Sequence, residues 1–213
     1  GTYAGKLYAL GTFDSGLGIW ANKAYLEKVG ARIPQSVEDA WTKAEFMQIL
    51  ADLKALPEIE YPLDLLFSYG PGEWFAYGFS PMFQAFGADL IDRETFMTAE
   101  GVLNGPEAVE AGKWFRSLIA NGYVNLSPAN DAALMEGTGA MAWVGHWYYN
   151  PAKEALGDDL VLIPMPILGD QDGRSRDRPR GLAPGAGASP PTRPIPMLPG
   201  SSWISSFARK RSF

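Results

Sequence analysis

The sequence predicts an α/β fold, and three observations predict it. Short apolar runs alternate along residues 1–168 with segments whose apolar residues recur at helical spacing. Gly, Pro and capping residues punctuate the alternation where elements should begin and end. The chain of 213 residues is 46% hydrophobic, long enough to bury a core without cross-links, and it has no Cys to make them.

In order, Gly5–Leu10 and Leu17–Ala21 read as two short strands around the polar, glycine-containing break Thr12–Gly16. Asn22 to Val29 reads as a short helix stopped at Gly30. Ser36 with Asp39 is an aspartate version of a capping box, and Thr42 with Glu45 is the orthodox one. Beyond it Phe46, Ile49, Leu50 and Leu53 share one helical face, and Pro57 ends the helix. Tyr61–Phe67 reads as a strand with Pro62 confined to its start. Glu73–Phe86 is aromatic-rich and helical, with Pro81 as an interior kink. Pro106 opens another helix from its first position, Ala111, Trp114, Phe115 and Leu118 form its apolar stripe, and Gly122 closes it. Ala140–Val144 and Leu160–Pro164 complete the strands.

The grammar changes at Gly173. Residues 174–213 hold seven Pro and seven Arg without a sustained apolar period, so they cannot offset their ordering entropy and are expected to be disordered. Charge divides at the same place. Residues 1–173 carry 10 Lys or Arg against 23 Asp or Glu, and the remainder carries eight against Asp177 alone. An acidic body lacks the clustered cations that bind a phosphate backbone, which argues against nucleic acid as partner.

Without Cys there is no disulfide framework, thiolate zinc, iron–sulfur cluster or thiol nucleophile. A lone histidine, His146, rules out a multi-histidine metal site, and no apolar run approaches a membrane span of about 18 residues. No cofactor or metal is expected. The chain starts at Gly1 with neither an initiator Met nor a signal-like segment, which reads as a processed chain or a fragment.

Catalysis is hard to assemble from this inventory. His146 follows an apolar strand, but no Gly-x-Ser-x-Gly elbow accompanies it, and a polar contact at a strand end is the simpler role. Asp158-Asp159 and the Asp170/Asp172 pair read as solvated turns without a third ligand at metal spacing. The aromatic residues say more. Trp74, Phe75, Tyr77, Trp143, Trp147, Tyr148 and Tyr149 gather at segment ends. An indole at such an end either fills the core or offers a flat apolar face at a cleft rim, suited to the C–H side of a sugar ring. Trp114 and Trp143 are assigned to the core; Trp74 and Trp147 fit either role.

At this point the pattern resembles a known family. Gly5-Lys6-Leu7-Tyr8-Ala9-Leu10, then Asp14, then Gly18–Leu26 is similar to the "GKLYALP…D…GLYYNKxLF" run of bacterial extracellular solute-binding proteins, the maltose-binding-protein-like receptors of ABC sugar importers. Ile33-Pro34 with Ser36–Trp41, Gln84–Leu90 and Gly137–Trp147 resemble three further runs of that family in the same order. Gly11, where the family often has Pro, and Leu134-Met135, where it often has an aromatic, depart from the pattern.

The resemblance implies a type II periplasmic-binding-protein-like fold, mainly its second (C-terminal) lobe, followed by the disordered tail. Residues 1–15 would be a hinge-crossing segment, 16–168 the second lobe, and 169–213 an Arg/Pro-rich tail, read as a product of a shifted frame. It implies a substrate-binding component of an ABC transporter that takes a sugar or oligosaccharide between two lobes, works with the importer's membrane subunits, and acts as a periplasmic or extracellular monomer. Trp74 and Trp147 would stack on sugar rings and Asp14 would accept hydrogen bonds from hydroxyls, with Glu73, Tyr77, Gln84 and His146 as neighbours. The alternatives are a carbohydrate-active enzyme fragment using Asp14 and Glu73, and a truncated product without function.

Overall fold

The computed structural model describes residues 2–3, 5–10 and 15–169. Asp14 and the predicted tail from residue 170 onward lie outside the described residues. Strands β1 (Thr2–Tyr3) and β2 (Lys6–Leu7) pair antiparallel, so only the first part of the expected Gly5–Leu10 strand is a ladder. β3 (Leu17–Asn22) then enters the main sheet, and α1 (Lys23–Lys28) follows, with the Asn22 side chain accepting from the Ala24 N–H at its start.

The Thr42–Glu45 box caps α2 (Lys43–Lys54): the Glu45 N–H donates to Thr42 Oγ1 and the Thr42 N–H to the Glu45 carboxylate. Arg32 holds the same carboxylate at 2.8 Å, and its guanidinium lowers the Glu45 pKa to about 2. Ser36 with Asp39 starts no helix. The Ser36 hydroxyl accepts from the Asp39 N–H within a single turn, because the chain bends away toward Trp41 before helical bonds can propagate. Phe46, Ile49, Leu50 and Leu53 are the buried face of α2, as their spacing predicts.

β4 is only Leu63–Asp64, shorter than the expected Tyr61–Phe67 strand. Leu66 adopts φ 55°, ψ 41°, which turns the chain out of the sheet into a 3₁₀ turn at Phe67–Tyr69. α3 (Glu73–Ala85) contains Pro81, which has no N–H to donate within the helix. Nearby, the Gly78 carbonyl accepts the Trp143 indole N–H at 3.0 Å. α4 (Pro106–Ala120) packs on α3 through Phe79–Phe115 and Phe86–Trp114, with ring centroids 5.5 and 5.7 Å apart. α5 (Ala133–Glu136), β5 (Met141–Gly145), α6 (Tyr149–Leu156) and β6 (Leu160–Ile163) complete the described elements.

The main sheet runs β4-β5-β3-β6. β3 is antiparallel to both β5 and β6, whereas β4 is parallel to β5. All five residues of β5 are buried, as befits a strand covered on both faces, and Ile19 pairs with Trp143 at the sheet centre. Leu17 pairs with Gly145, so the chain entering β3 and the chain leaving β5 meet at one end of the sheet. That register positions the site: Ser15 precedes β3 there, and Trp147 follows β5.

Candidate functional site

Four of the seven expected site residues converge on one concavity of about 320 Å³, lined by Ser15, Glu73, Trp74, Tyr77 and Trp147. Helical spacing brings Glu73, Trp74 and Tyr77 to the first turns of α3, and Trp147 arrives from the end of β5. The Tyr77 hydroxyl donates to the Ser15 carbonyl, tying α3 to the segment that enters β3.

The two indoles are not equivalent. Trp74 is 8% exposed, gives its N–H to the Leu65 carbonyl at 3.0 Å, and presents only part of its ring to the concavity. Gly78 makes room for it: a Cβ there would stand 2.9 Å from the ring. Trp147 is 41% exposed and stands edge-to-face against Trp74, with centroids 6.3 Å and planes 82° apart. Gly145 lies under its ring, where a Cβ would overlap the six-membered ring atoms. Tyr77 leans on Trp147 at 6.2 Å, so two half-open rings and one edge make a right-angled apolar corner with the Glu73 carboxylate beside it. Such a corner can cover the C–H face of a ring while the acid accepts from hydroxyl or ammonium donors.

The structure does not bring Gln84 or His146 to the lining. Gln84 is on α3 but 11 residues past Glu73, about 16 Å along the axis at 1.5 Å per residue. Its amide donates to Asp89 at 3.4 Å. His146 is exposed with its ring 5.8 Å from that of Trp147, because neighbouring residues leave the strand end in different directions. Trp143 and Trp114 are core, at 1% and 8% exposure.

Sequence reasoning missed the support behind the corner. The Trp147 indole donates to the Tyr69 hydroxyl at 3.3 Å, and Tyr69 donates to the Asp131 carboxylate at 3.3 Å. Burial, with Asp131 nearby, pushes the Tyr69 pKa up. Tyr148, also raised by burial, donates to the Asp131 carbonyl at 2.6 Å. An aromatic just before Gly70-Pro71-Gly72 was the available signal for Tyr69; nothing local marks Asp131. Among the described residues no group of three His, Cys, Asp or Glu could hold a metal ion, and no helix is long and apolar enough to cross a membrane.

Residues 1–206 match the family described as bacterial extracellular solute-binding protein. The chain belongs to that family. Solved structures agree on the α/β fold of periplasmic-binding proteins. The GacH receptor of Streptomyces glaucescens, solved unliganded and with acarbose and an acarbose homolog, is 22% identical, with a TM-score of 0.57 over 78% of this chain and 41% of that one. The sugar-binding protein MalE of Xanthomonas citri is 16% identical, with a TM-score of 0.61 over 78% and 41%. UgpB of Mycobacterium tuberculosis, solved with glycerophosphocholine, is 18% identical, with a TM-score of 0.58 over 78% and 40%. This family member therefore spans about two-fifths of the length of the solved proteins it resembles. No curated protein matches the chain.

Proposed function

We propose that the chain is the second lobe of the substrate-binding component of an ABC importer, and that its aromatic corner grips one side of a carbohydrate. The convergence of Glu73, Trp74, Tyr77 and Trp147 on one concavity, in a chain of this family, carries the reading. Residues 1–15 are the crossing to the other lobe and 16–168 the lobe itself, with Asp14 at the crossing. The ligand is a sugar or oligosaccharide: the rings supply apolar cover worth roughly 1–3 kcal/mol per well-buried aromatic, and the carboxylates accept charge-assisted hydrogen bonds from its hydroxyls.

A ligand that touches both lobes favours the closed state, and the closed receptor, as a periplasmic or extracellular monomer, docks on the importer's membrane subunits. A single lobe keeps only part of those contacts. Each 1.4 kcal/mol lost is about tenfold in affinity, so micromolar binding requires the second wall. The protein acts as a receptor rather than an enzyme.

Titration calorimetry with maltose, maltotriose and chitobiose tests this on a chain carrying both lobes. Heat of binding by at least one saccharide is expected, with no release of chromophore from nitrophenyl glycosides. Glycoside cleavage would replace the receptor by a carbohydrate-active enzyme. Micromolar affinity in the 213-residue chain alone would show that the corner is not half of a two-walled site.

A further inference from the structure

Two costly features coincide behind the corner. Asp64, at the end of β4, is 6% exposed; one carboxylate oxygen accepts the Leu66 N–H at 2.7 Å, and the other has no partner. Leu66, fully buried, sits in the left-handed region at φ 55°. That conformation is unfavourable for a branched side chain, and an unpaired buried carboxylate oxygen is unfavourable anywhere. Neither is required to end a strand. Strain and unsatisfied polar groups persist where the surrounding geometry is worth holding.

What this geometry holds is the pair of indoles. The Asp64 side chain closes a turn on the residue two ahead, the local alternative to continuing the sheet. The turn aims the Leu65 carbonyl at the Trp74 N–H, 3.0 Å away. It also starts the 3₁₀ turn that carries Tyr69, whose hydroxyl receives the Trp147 N–H and whose ring stands 5.2 Å from Trp74 at 75°. Trp20, Trp41 and Trp143, like Trp74, give their N–H to backbone carbonyls. Trp147 instead gives its own to a phenol, which Asp131 orients in turn.

We propose that Asp64–Tyr69 is a positioning strap for the ligand corner: Asp64 sets the left-handed turn that aims the Leu65 carbonyl at Trp74, and Tyr69, oriented by Asp131, fixes the plane of the Trp147 ring. Asp64 and Tyr69 act as positioning residues, since neither lines the concavity. Burial pushes the Asp64 carboxyl pKa up, so what the side chain supplies there is the turn rather than a favourable charge. The corner's purpose rests on the receptor reading; the strap itself does not.

The test is the indole ¹H–¹⁵N spectrum of the ligand-free 213-residue chain, with Trp74 and Trp147 assigned from Trp74→Phe and Trp147→Phe spectra. Tyr69→Phe changes a part-exposed side chain and should shift the Trp147 cross-peak and speed its exchange with water, leaving Trp41 and Trp143 in place. Asp64→Ala should shift both Trp74 and Trp147, and Asp64→Asn, which keeps the accepting oxygen, should restore both. A Trp147 peak unmoved by Tyr69→Phe overturns the proposal, as does a folded Asp64→Ala chain with both peaks in place. If Asp64→Ala does not fold, the Tyr69→Phe spectrum decides alone. Because no ligand is present, expected shifts together with absent saccharide binding by the two-lobed chain would keep the strap and remove the receptor reading.

Discussion

Trp143 and Trp147 lie four residues apart on one chain segment and do opposite work. Trp143 is sealed at the sheet centre with its N–H on a helix carbonyl, and nothing outside the fold can touch it. Trp147 stands just past the end of β5, half open, on a glycine and against a phenol. A buried indole gains its energy from removal of its surface from water, so it is fixed by packing. An open indole has surface left to offer and must be held in orientation by a few directed contacts. The difference separates an indole that makes the fold from one left with a face to offer, the property the proposed binding wall needs.

Truncation breaks the comparison most sharply. Trp143→Ala should cost about 3–5 kcal/mol of stability through lost burial and a cavity. Trp147→Ala should cost about 1 kcal/mol or less, as an open position does. Denaturant unfolding of the two variants checks this; equal losses would mean that Trp147 is also a packing residue.

The glycines beneath the two corner rings sharpen it. Gly78→Ala presses on Trp74, which is buried and hydrogen-bonded and has nowhere to move. Overpacking of about 1–3 kcal/mol outweighs the helix-propensity gain of up to about 1 kcal/mol, so a net loss in thermal unfolding is expected. Gly145→Ala meets the open Trp147 instead, which can swing outward. Its unfolding should change little, while the Trp147 fluorescence shifts to the red.

Carboxylates show a smaller version of the same contrast. Glu45, bonded to Arg32, has its pKa lowered from 4.5 to about 2, so its contribution is present above the unfolded value and lost as pH falls from about 4.5 toward about 2. Asp64 is raised by burial, so its contribution has the opposite sign: greatest below the unfolded value of 3.8 and declining as pH rises through the folded pKa. Stability measured against pH should lose the first limb in Glu45→Gln and the second in Asp64→Asn.

Much of the fold was legible because it follows local rules. The capping box and the Phe46, Ile49, Leu50, Leu53 period located α2, and Pro106 located α4. The Tyr61–Phe67 strand was overdrawn because an apolar run carries no sign that Asp64 will bond its own backbone and send Leu66 left-handed. At the site, the resemblance named Glu73, Trp74, Tyr77 and Gln84 together, and the helical rise of α3 keeps the first three close while carrying Gln84 too far along. Trp147 was recognisable at a strand end, but the adjacent His146 was not separable from it, since direction at a strand terminus is settled by packing. Tyr69 and Asp131 matter only through contacts 78 and 62 residues away in sequence, which no local pattern records.

The central claim is that Trp147 is a wall of a sugar site. Its most direct test is the affinity of a two-lobed chain for its saccharide, measured by calorimetry with Trp147 intact and with Trp147→Ala. Loss of the stacking face should weaken binding about tenfold or more, about 1.4 kcal/mol, with unfolding nearly unchanged; an affinity equal to that of the intact chain would contradict the account.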